Sequence, residues 1–123
     1  MPQGLTNKPD EVHILKGKRA LVIGGSGGIG KSVAIELARH GASLIVHGGS
    51  SRKRLDRTLA ELSALGAEAS GFLFNIDRPS QIHELPAPLE TIDLLVVAFG
   101  PFLTKSLAAT TAEDWVRLCL LNL

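Results

Sequence analysis

Three features of the sequence predict an α/β fold with a doubly wound parallel sheet. Short apolar runs alternate along the chain with segments whose apolar residues recur at the spacing of a helix. A cluster of glycines joins the first apolar run directly to the first helical segment, between Gly24 and Gly30. The last apolar run, residues 94–98, is apolar throughout, which is typical of a strand covered on both faces. Strands separated by helices connect through right-handed crossovers, and such connections build a doubly wound sheet.

The first strand and the first helix flank the glycine cluster. The strand is predicted over about residues 19–23, where four apolar residues follow one another. The helix is predicted over about residues 29–40. Its apolar residues Ile29, Val33 and Leu37 recur at i, i+4 and i+8, and a glycine ends the segment.

Two further strands enclose a second helix. They are predicted over about residues 43–47 and 70–75. Between them a polar loop leads into a helix on which Leu55, Leu59 and Leu62 share one face, and a glycine ends this helix as well.

The last part of the chain is predicted to hold a short helix, a strand and a longer helix. Prolines bound the short helix at residues 79–86, and the apolar strand at 94–98 follows. The pair Thr110-Thr111 can cap the final helix, and Glu113 and Asp114 provide acids in its first turn. This helix is predicted to continue to the last residue.

Composition limits the classes of function. The 123 residues are predicted to form one domain, residues 18–123, after a polar arm over residues 1–17. A formal net charge of +1 argues against a nucleic-acid partner, and no apolar run reaches about 18 residues, which argues against a membrane partner. The arm lacks the apolar core of a secretory signal, and the single Cys119 suits a reducing compartment. The four histidines lack metal-ligand spacing. We therefore expect a cytoplasmic protein without a metal.

The stretch from Ala20 to Ser32 predicts a cradle for nucleotide phosphates. Glycines allow positive φ and let a ligand approach the backbone closely, and the helix that follows presents free N–H groups to an anion. Three glycine patterns overlap here. They are the dinucleotide fingerprint Gly25-x-Gly27-x-x-Gly30, the phosphate-loop pattern Gly25-x-x-x-x-Gly30-Lys31-Ser32, and the spacing Gly24-x-x-x-Gly28-x-Gly30.

The phosphate-loop interpretation needs a second feature. Such a site requires an apolar strand that ends in an aspartate to hold Mg²⁺. Asp93 stands at the start of its predicted strand, and Asn75 interrupts the other candidate, residues 72–77. A phosphate-loop nucleotidase is therefore the less favoured alternative.

Four further segments favour the third glycine spacing. They lead into the first and third strands or bound the final helix, and they are residues 15–22, 64–69, 110–115 and 121–123. Together with Gly24, Gly28 and Gly30 they resemble the short-chain dehydrogenase/reductase family. The resemblance covers about residues 15–123. It implies a Rossmann-type sheet of four strands in the order 3-2-1-4, and hydride transfer between NADP(H) and a small-molecule carbonyl or alcohol.

The resemblance also implies which residues contact the dinucleotide. They are Gly24, Ser26, Gly28, Ile29, Gly30, His47, Ser50, Ser51, Arg52, Asn75, Ile76, Ala98, Phe99 and Gly100. His47 is expected near the adenosine. Asn75 stands where the family has an aspartate that binds adenine, and its amide oxygen can accept the same hydrogen bond. A strand-end turn is the alternative role for Asn75.

The loop after the second strand predicts a preference for NADP(H). An acidic residue there would bind the ribose hydroxyl of NAD, but none occurs between Glu36 and Asp56. The loop instead carries Ser50, Ser51 and Arg52, whose side chains can bind a 2′-phosphate. The alternative is that Ser51 caps a helix with a solvated basic face. Binding of NAD(H) stays possible.

Two departures from the family pattern face each other across the predicted sheet. Ile23 stands where the family has threonine, and residues 97–100 replace an Asn-Asn-Ala-Gly segment. Apolar replacement of both partners of a buried hydrogen bond can be nearly neutral, whereas loss of one partner would cost ~1–3 kcal/mol. We therefore expect the paired exchange to preserve the fold.

The family's chemistry uses a tyrosine as acid/base, a lysine four residues later and an upstream serine. The chain contains no tyrosine, and all three positions would lie beyond Leu123. By resemblance, Asn122 helps to position that lysine. We expect the nucleotide-binding part of a homo-oligomeric oxidoreductase, incomplete at its C-terminus and inactive alone. A nucleotide-binding module without turnover is the alternative.

The final helix and the last strand carry two further predictions. Trp115, Leu118 and Cys119 share a helix face, which predicts that Cys119 is a buried apolar residue. In the order 3-2-1-4 the strand at residues 94–98 lies at the sheet edge. We expect this apolar edge to promote aggregation or dimerisation.

Overall fold

A computed structural model describes residues 13–86, 89–100 and 103–122. Its strands are β1 (Arg19–Ile23), β2 (Ser43–Gly48), β3 (Ala69–Leu73) and β4 (Leu94–Val97), and its α-helices are α1 (Gly28–Arg39), α2 (Arg52–Ala64) and α3 (Ala112–Asn122). Three short 3-10 helices span Pro79–Glu84, Leu89–Thr91 and Leu107–Ala109. The strands are parallel and lie in the order β3-β2-β1-β4, which confirms the predicted Rossmann-type sheet.

The predicted polar arm and the last residue lie mainly outside this description. Residues 1–12 and Leu123 are outside it, and residues 13–17 form a turn at the amino end of β1. The N–H of Leu15 donates to the carbonyl of His40 over 2.8 Å, so this turn is attached to the end of α1.

Alternation along β1 divides the core into two layers. Ala20 and Val22 pack against residues of α1 and α2, whereas Leu21 and Ile23 point to the opposite face, where Leu85 is buried. Because successive side chains of a strand point to opposite faces, one buried strand serves both layers. The second face is covered further by side chains that lie in the strands or directly beside them: Ile45, Phe72, Phe74, Ile76, Ile92 and Phe99.

The buried face of α1 differs from the prediction. Its buried residues are Gly30, Ala34 and Ala38, and Ile29 is 79% exposed. A Cβ placed on Gly30 would collide with the carbonyl oxygen of Gly24, so only glycine permits this approach. The helix lies close to the sheet because its inner face is made of small residues, and larger apolar residues flank that face.

The strand boundaries differ from the prediction by one or two residues, except for β1. β2 extends to Gly48, and β3 ends at Leu73. The ladder continues for one hydrogen bond beyond β3, since the N–H of Phe74 donates to Gly48 over 2.9 Å. Likewise the N–H of Ala98 donates to Ile23 over 2.8 Å, one residue beyond β4.

The amino end of α3 has the predicted cap. The N–H of Asp114 donates to Oγ1 of Thr111 over 3.1 Å, and the N–H of Thr111 donates back to Oδ2 of Asp114 over 2.9 Å. The hydrogen bond from the N–H of Thr111, together with the ammonium of Lys105 at 2.9 Å, lowers the pKa of Asp114 to about 2.

The prediction that Cys119 is buried was wrong: the residue is exposed, and Trp115 on the same face is 56% exposed. No described element of this chain packs extensively against that face.

Candidate nucleotide site

The predicted site lies at the carboxyl ends of the parallel strands. β1 pairs with β2 on one side and with β4 on the other, so the direction of winding changes beside β1. In open α/β sheets, ligands bind in the crevice that this change creates. The loop between β1 and α1, residues 24–27, lies at this crevice.

Close contacts between backbone segments require glycine at position 24 in this loop and at position 30 in the first turn of α1. A Cβ on Gly24, whose φ is +80°, would lie 2.9 Å from backbone atoms of Ala98 and Phe99. A Cβ on Gly30 would collide with Gly24 itself. The loop therefore lies between the end of β4 and the first turn of α1 without intervening side chains.

A different requirement applies at Gly28. Its φ is +57°, a conformation that L side chains rarely adopt, yet a Cβ there would meet no atom within 4 Å. Backbone conformation, and not contact with the rest of the chain, favours glycine here. The space over the first turn of α1 is open.

The amino end of α1 has no side-chain cap. Its N-cap residue is Gly27, and its first turn contains no acidic residue. The N–H groups of a helical first turn have no intrahelical acceptors and carry partial positive charge. In contrast, Oγ of Ser51 caps α2 by accepting the N–H of Arg54 over 3.2 Å. The end of α1 is therefore suited to bind an anion.

His47 lies beneath the loop, although the sequence places it near the adenosine. Its side chain is buried, with the residue 1% exposed. Nδ1 accepts the N–H of Gly24 over 3.0 Å, and Nε2 lies 2.6 Å from the carbonyl oxygen of Phe74. Burial lowers the pKa of His47, and the hydrogen bond to Phe74 opposes this shift in part. The residue contacts the loop from the protein side.

The loop after β2 contains the predicted cap, and the first turn of α2 contains a residue that the sequence did not single out. Ser50 is exposed, and Ser51 has the capping role of the alternative interpretation. Arg52 faces Asp56 on its own helix, with Nη1 and Oδ1 3.6 Å apart and both side chains mostly exposed. A Cβ placed on Gly27 would collide with Nη2 of Arg54, so the Arg54 guanidinium lies against the glycine loop. The sequence shows a basic residue in the first turn of α2, but it does not indicate that this residue reaches Gly27.

The residues predicted at the end of β3 separate into two environments. Asn75 is exposed, and its Oδ1 lies 3.8 Å from where a Cβ of Gly49 would be, so it faces the loop after β2. Ile76 is half-buried and packs against the second core layer. Of the loop residues, Ser26 is half-buried and borders Gly48.

The end of α3 lies beside the end of β4. The side chain of Asn122 contacts Gly100, and its amide donates to the carbonyl of Leu118 over 2.9 Å. Phe99 contacts the ring of His47 edge-on, with centroids 6.4 Å apart. The structure therefore places Asn122, residues 98–100 and the glycine loop at one edge of the sheet.

Lys31 does not face the loop as a phosphate-loop lysine would. Its Nζ lies 2.7 Å from Oε1 of Glu61 on α2. The described residues contain no group of three His, Cys, Asp or Glu side chains placed to hold a metal ion. Within the same residues, no helix has both the length and the apolar character needed to cross a membrane.

The sequence of the chain is similar to those of known oxidoreductases. Residues 18–123 match the family model of the short chain dehydrogenases. A hydroxynaphthalene reductase of Aspergillus fumigatus is 35% identical over 112 residues, which cover 88% of this chain and 41% of that protein. An uncharacterised oxidoreductase of Bacillus subtilis is 36% identical over 103 residues, which cover 82% of this chain and 39% of that protein.

Solved structures resemble the chain over the same extent. A 3-oxoacyl (acyl-carrier-protein) reductase from Agrobacterium tumefaciens, with NADP bound, has a TM-score of 0.75 and 27% identity, covering 96% of this chain and 46% of that one. A short chain dehydrogenase from Burkholderia cenocepacia in complex with NADP has a TM-score of 0.71 and 32% identity, covering 88% of this chain and 46% of that one. The chain thus spans less than half the length of each protein it matches here.

Proposed function

Because this chain belongs to the short-chain dehydrogenase/reductase family, we propose that its glycine loop binds the pyrophosphate of NADP(H). The whole protein is then an oxidoreductase that transfers a hydride between this cofactor and a small carbonyl or alcohol substrate. The nicotinamide ring, when bound, supplies or accepts the hydride. The described residues bind and orient the dinucleotide.

One observation carries the proposal: the uncapped end of α1 adjoins a loop in which only Ser26 carries a side chain. Gly27 offers no cap, and open space lies over Gly28. Backbone N–H groups can therefore approach phosphate oxygens directly, and the helix dipole favours their negative charge. These backbone donors and the open space beside them support the proposal that a pyrophosphate binds here.

The charges beside the loop support NADP(H) as the cofactor. The guanidinium of Arg54 lies against Gly27, where it can form paired hydrogen bonds with a 2′-phosphate. No carboxylate between Glu36 and Asp56 is present to accept a ribose hydroxyl bond. Arg52 is the weaker candidate, because its guanidinium faces Asp56.

Calorimetric titration of the chain with NADPH and NADH tests this proposal. We expect tighter binding of NADPH. Arg54→Ala should weaken the binding of NADPH by roughly tenfold or more, as expected for a lost charge-assisted hydrogen bond. The same substitution should change the affinity for NADH little. Arg52→Ala is the matched control, since both arginines are exposed on the first turn of α2. Its effect should stay within roughly threefold.

The outcomes separate the parts of the proposal. Tighter binding of NADH would refute the cofactor preference alone. Equal losses in the two arginine variants would remove the special role of Arg54. Failure of both dinucleotides to bind would refute the assignment of the loop.

A further inference from the structure

His47 connects three strand ends beneath the glycine loop. Its Nδ1 lies 3.0 Å from the amide nitrogen of Gly24, and its Nε2 lies 2.6 Å from the carbonyl oxygen of Phe74. Its own backbone carbonyl accepts the N–H of Gly25 over 2.9 Å. Residue 47 therefore holds two successive amides of the loop, one through its side chain and one through its backbone.

The two side-chain hydrogen bonds select one form of the ring. A backbone N–H can only donate, so Nδ1 must accept from Gly24 and carry no proton. A backbone carbonyl can only accept, so Nε2 must carry the proton and donate to Phe74. The ring is therefore the neutral Nε2–H tautomer. Protonation of Nδ1 would set an N–H against the N–H of Gly24 and remove that acceptor.

The surroundings of the ring favour this neutral form. Its ring neighbours are Phe72, at 5.5 Å between centroids, and Phe99, at 6.4 Å. These contacts come from β3 and from the segment after β4. The ring also forms hydrogen bonds with Gly24 and Phe74. None of these four contacting residues has an ionisable side chain. Burial lowers the pKa of His47 below its ordinary value of 6.5, so the ring stays neutral at neutral pH.

We propose that His47 is a positioning residue for dinucleotide binding. Its Nδ1 holds the amide of Gly24 toward the protein and thereby orients the loop, so that the first-turn N–H groups of α1 face the phosphates. The bond from Nε2 to Phe74 anchors the ring to β3. This inference rests on the proposed function of the loop.

Two amide variants separate this role from a merely structural one. The side-chain amide of asparagine extends as far as Nδ1, and that of glutamine extends as far as Nε2. His47→Asn therefore retains an acceptor for Gly24, whereas His47→Gln retains a donor for Phe74. In titrations with NADP⁺, we expect His47→Gln to weaken binding by roughly tenfold and His47→Asn to stay within roughly threefold. Melting temperatures measured in parallel show whether both variants fold.

The pH dependence of NADP⁺ affinity gives a second, independent readout. The wild-type chain should lose affinity as the pH falls below 6.5 and through the lowered pKa of His47, because the protonated ring no longer accepts from Gly24. A 2′-phosphate itself titrates near pH 6, as phosphate monoesters do. His47→Asn cannot titrate at this position, so its pH profile reports the contributions of the ligand and of the rest of the chain. The difference between the two pH profiles therefore belongs to His47.

Each outcome decides the proposal. Equal affinities of the wild type and both variants, or superposed pH profiles, would overturn the role of His47 while leaving the proposed function intact. A rise in wild-type affinity on acidification relative to His47→Asn would also overturn it, since a buried positive charge would then aid phosphate binding. Failure of the wild type to bind NADP⁺ would refute the proposed function and this inference with it. If His47→Gln does not fold, the two pH profiles still decide.

Discussion

At the scale of single residues, the glycine cluster between Gly24 and Gly30 meets three physical requirements with one residue type. Gly24 and Gly30 are required by backbone contacts that a Cβ would occupy. Gly28 is favoured by its positive φ, with no steric conflict. Gly27 leaves the volume that the guanidinium of Arg54 uses. A glycine motif in a sequence therefore does not reveal which of its members a ligand needs.

Gly28→Ala tests the role of backbone conformation in binding, and Gly66→Ala is its matched control. Both glycines have positive φ, +57° and +81°, and neither Cβ would meet an atom within 4 Å. Both variants should lose about 1–2 kcal/mol of unfolding free energy, since alanine is strained in this region. Only Gly28→Ala should also weaken the binding of NADPH, by roughly tenfold, because the altered backbone would no longer direct its N–H groups at the phosphates. Chemical denaturation and calorimetry measure the two effects. Equal losses of affinity in both variants would contradict the assignment of the loop.

At the scale of elements, α1 is held by a small-residue face toward the sheet and by a polar contact toward α2. Gly30, Ala34 and Ala38 permit close approach to β1 and β2. Lys31, one position along from Gly30, turns to Glu61 across the helix pair. The ammonium that a phosphate loop would use is thus part of helix packing here.

Lys31→Ala is therefore expected to leave dinucleotide affinity unchanged. Its Nζ pairs with Glu61 at 2.7 Å, and the two side chains are 26% and 43% exposed. We expect a loss of unfolding free energy of about 0.2–1 kcal/mol, as for partly exposed ion pairs. Calorimetry measures the affinity, and a double-mutant cycle with Glu61→Ala measures the pair. Magnesium-dependent ATP binding that disappears in Lys31→Ala would instead support a phosphate loop.

At the scale of the whole molecule, the two faces of the sheet are covered unequally at β4. Leu94 and Val96 pack toward the layer of α1 and α2. Leu95 and Val97 point to the other face and are 62% and 64% exposed. Apolar side chains on an edge strand favour association between chains. We therefore predict that β4, at the edge of the sheet, promotes association between chains.

Leu95→Lys should reduce concentration-dependent association of the chain. A charge on an exposed edge strand opposes edge-to-edge pairing. Leu65→Lys is the control, because Leu65 is also exposed, at 45%, but caps the end of α2 and is not part of a strand. Sedimentation velocity across a concentration series should show association in the wild type and in Leu65→Lys, and less in Leu95→Lys. A wild-type chain that sediments as a monomer at every concentration would show that this edge is not adhesive.

The sequence alone determined the order of the strands and α-helices along the chain and the place of the glycine cluster between β1 and α1. Strand runs, helical spacing and glycine spacing are local properties, readable within a few residues. The strand order came from the family resemblance, and the sheet confirms it. Residue patterns were less informative about side-chain environments. Cys119 was expected to be buried and is exposed, because apolar spacing identifies a helix face but does not show what packs against that face.

Only the tertiary structure decided which face of α1 is buried and what His47 and Arg54 contact. Neighbouring helix positions differ by about 100° in direction, so Ile29 and Gly30 begin two overlapping stripes between which spacing cannot choose. Strand register places His47 between Ile23 and Phe72, and this pairing brings its ring under Gly24. Arg54 reaches Gly27 because α2 packs beside α1. These contacts join residues far apart in the chain, and they exist only once the strands and helices have packed.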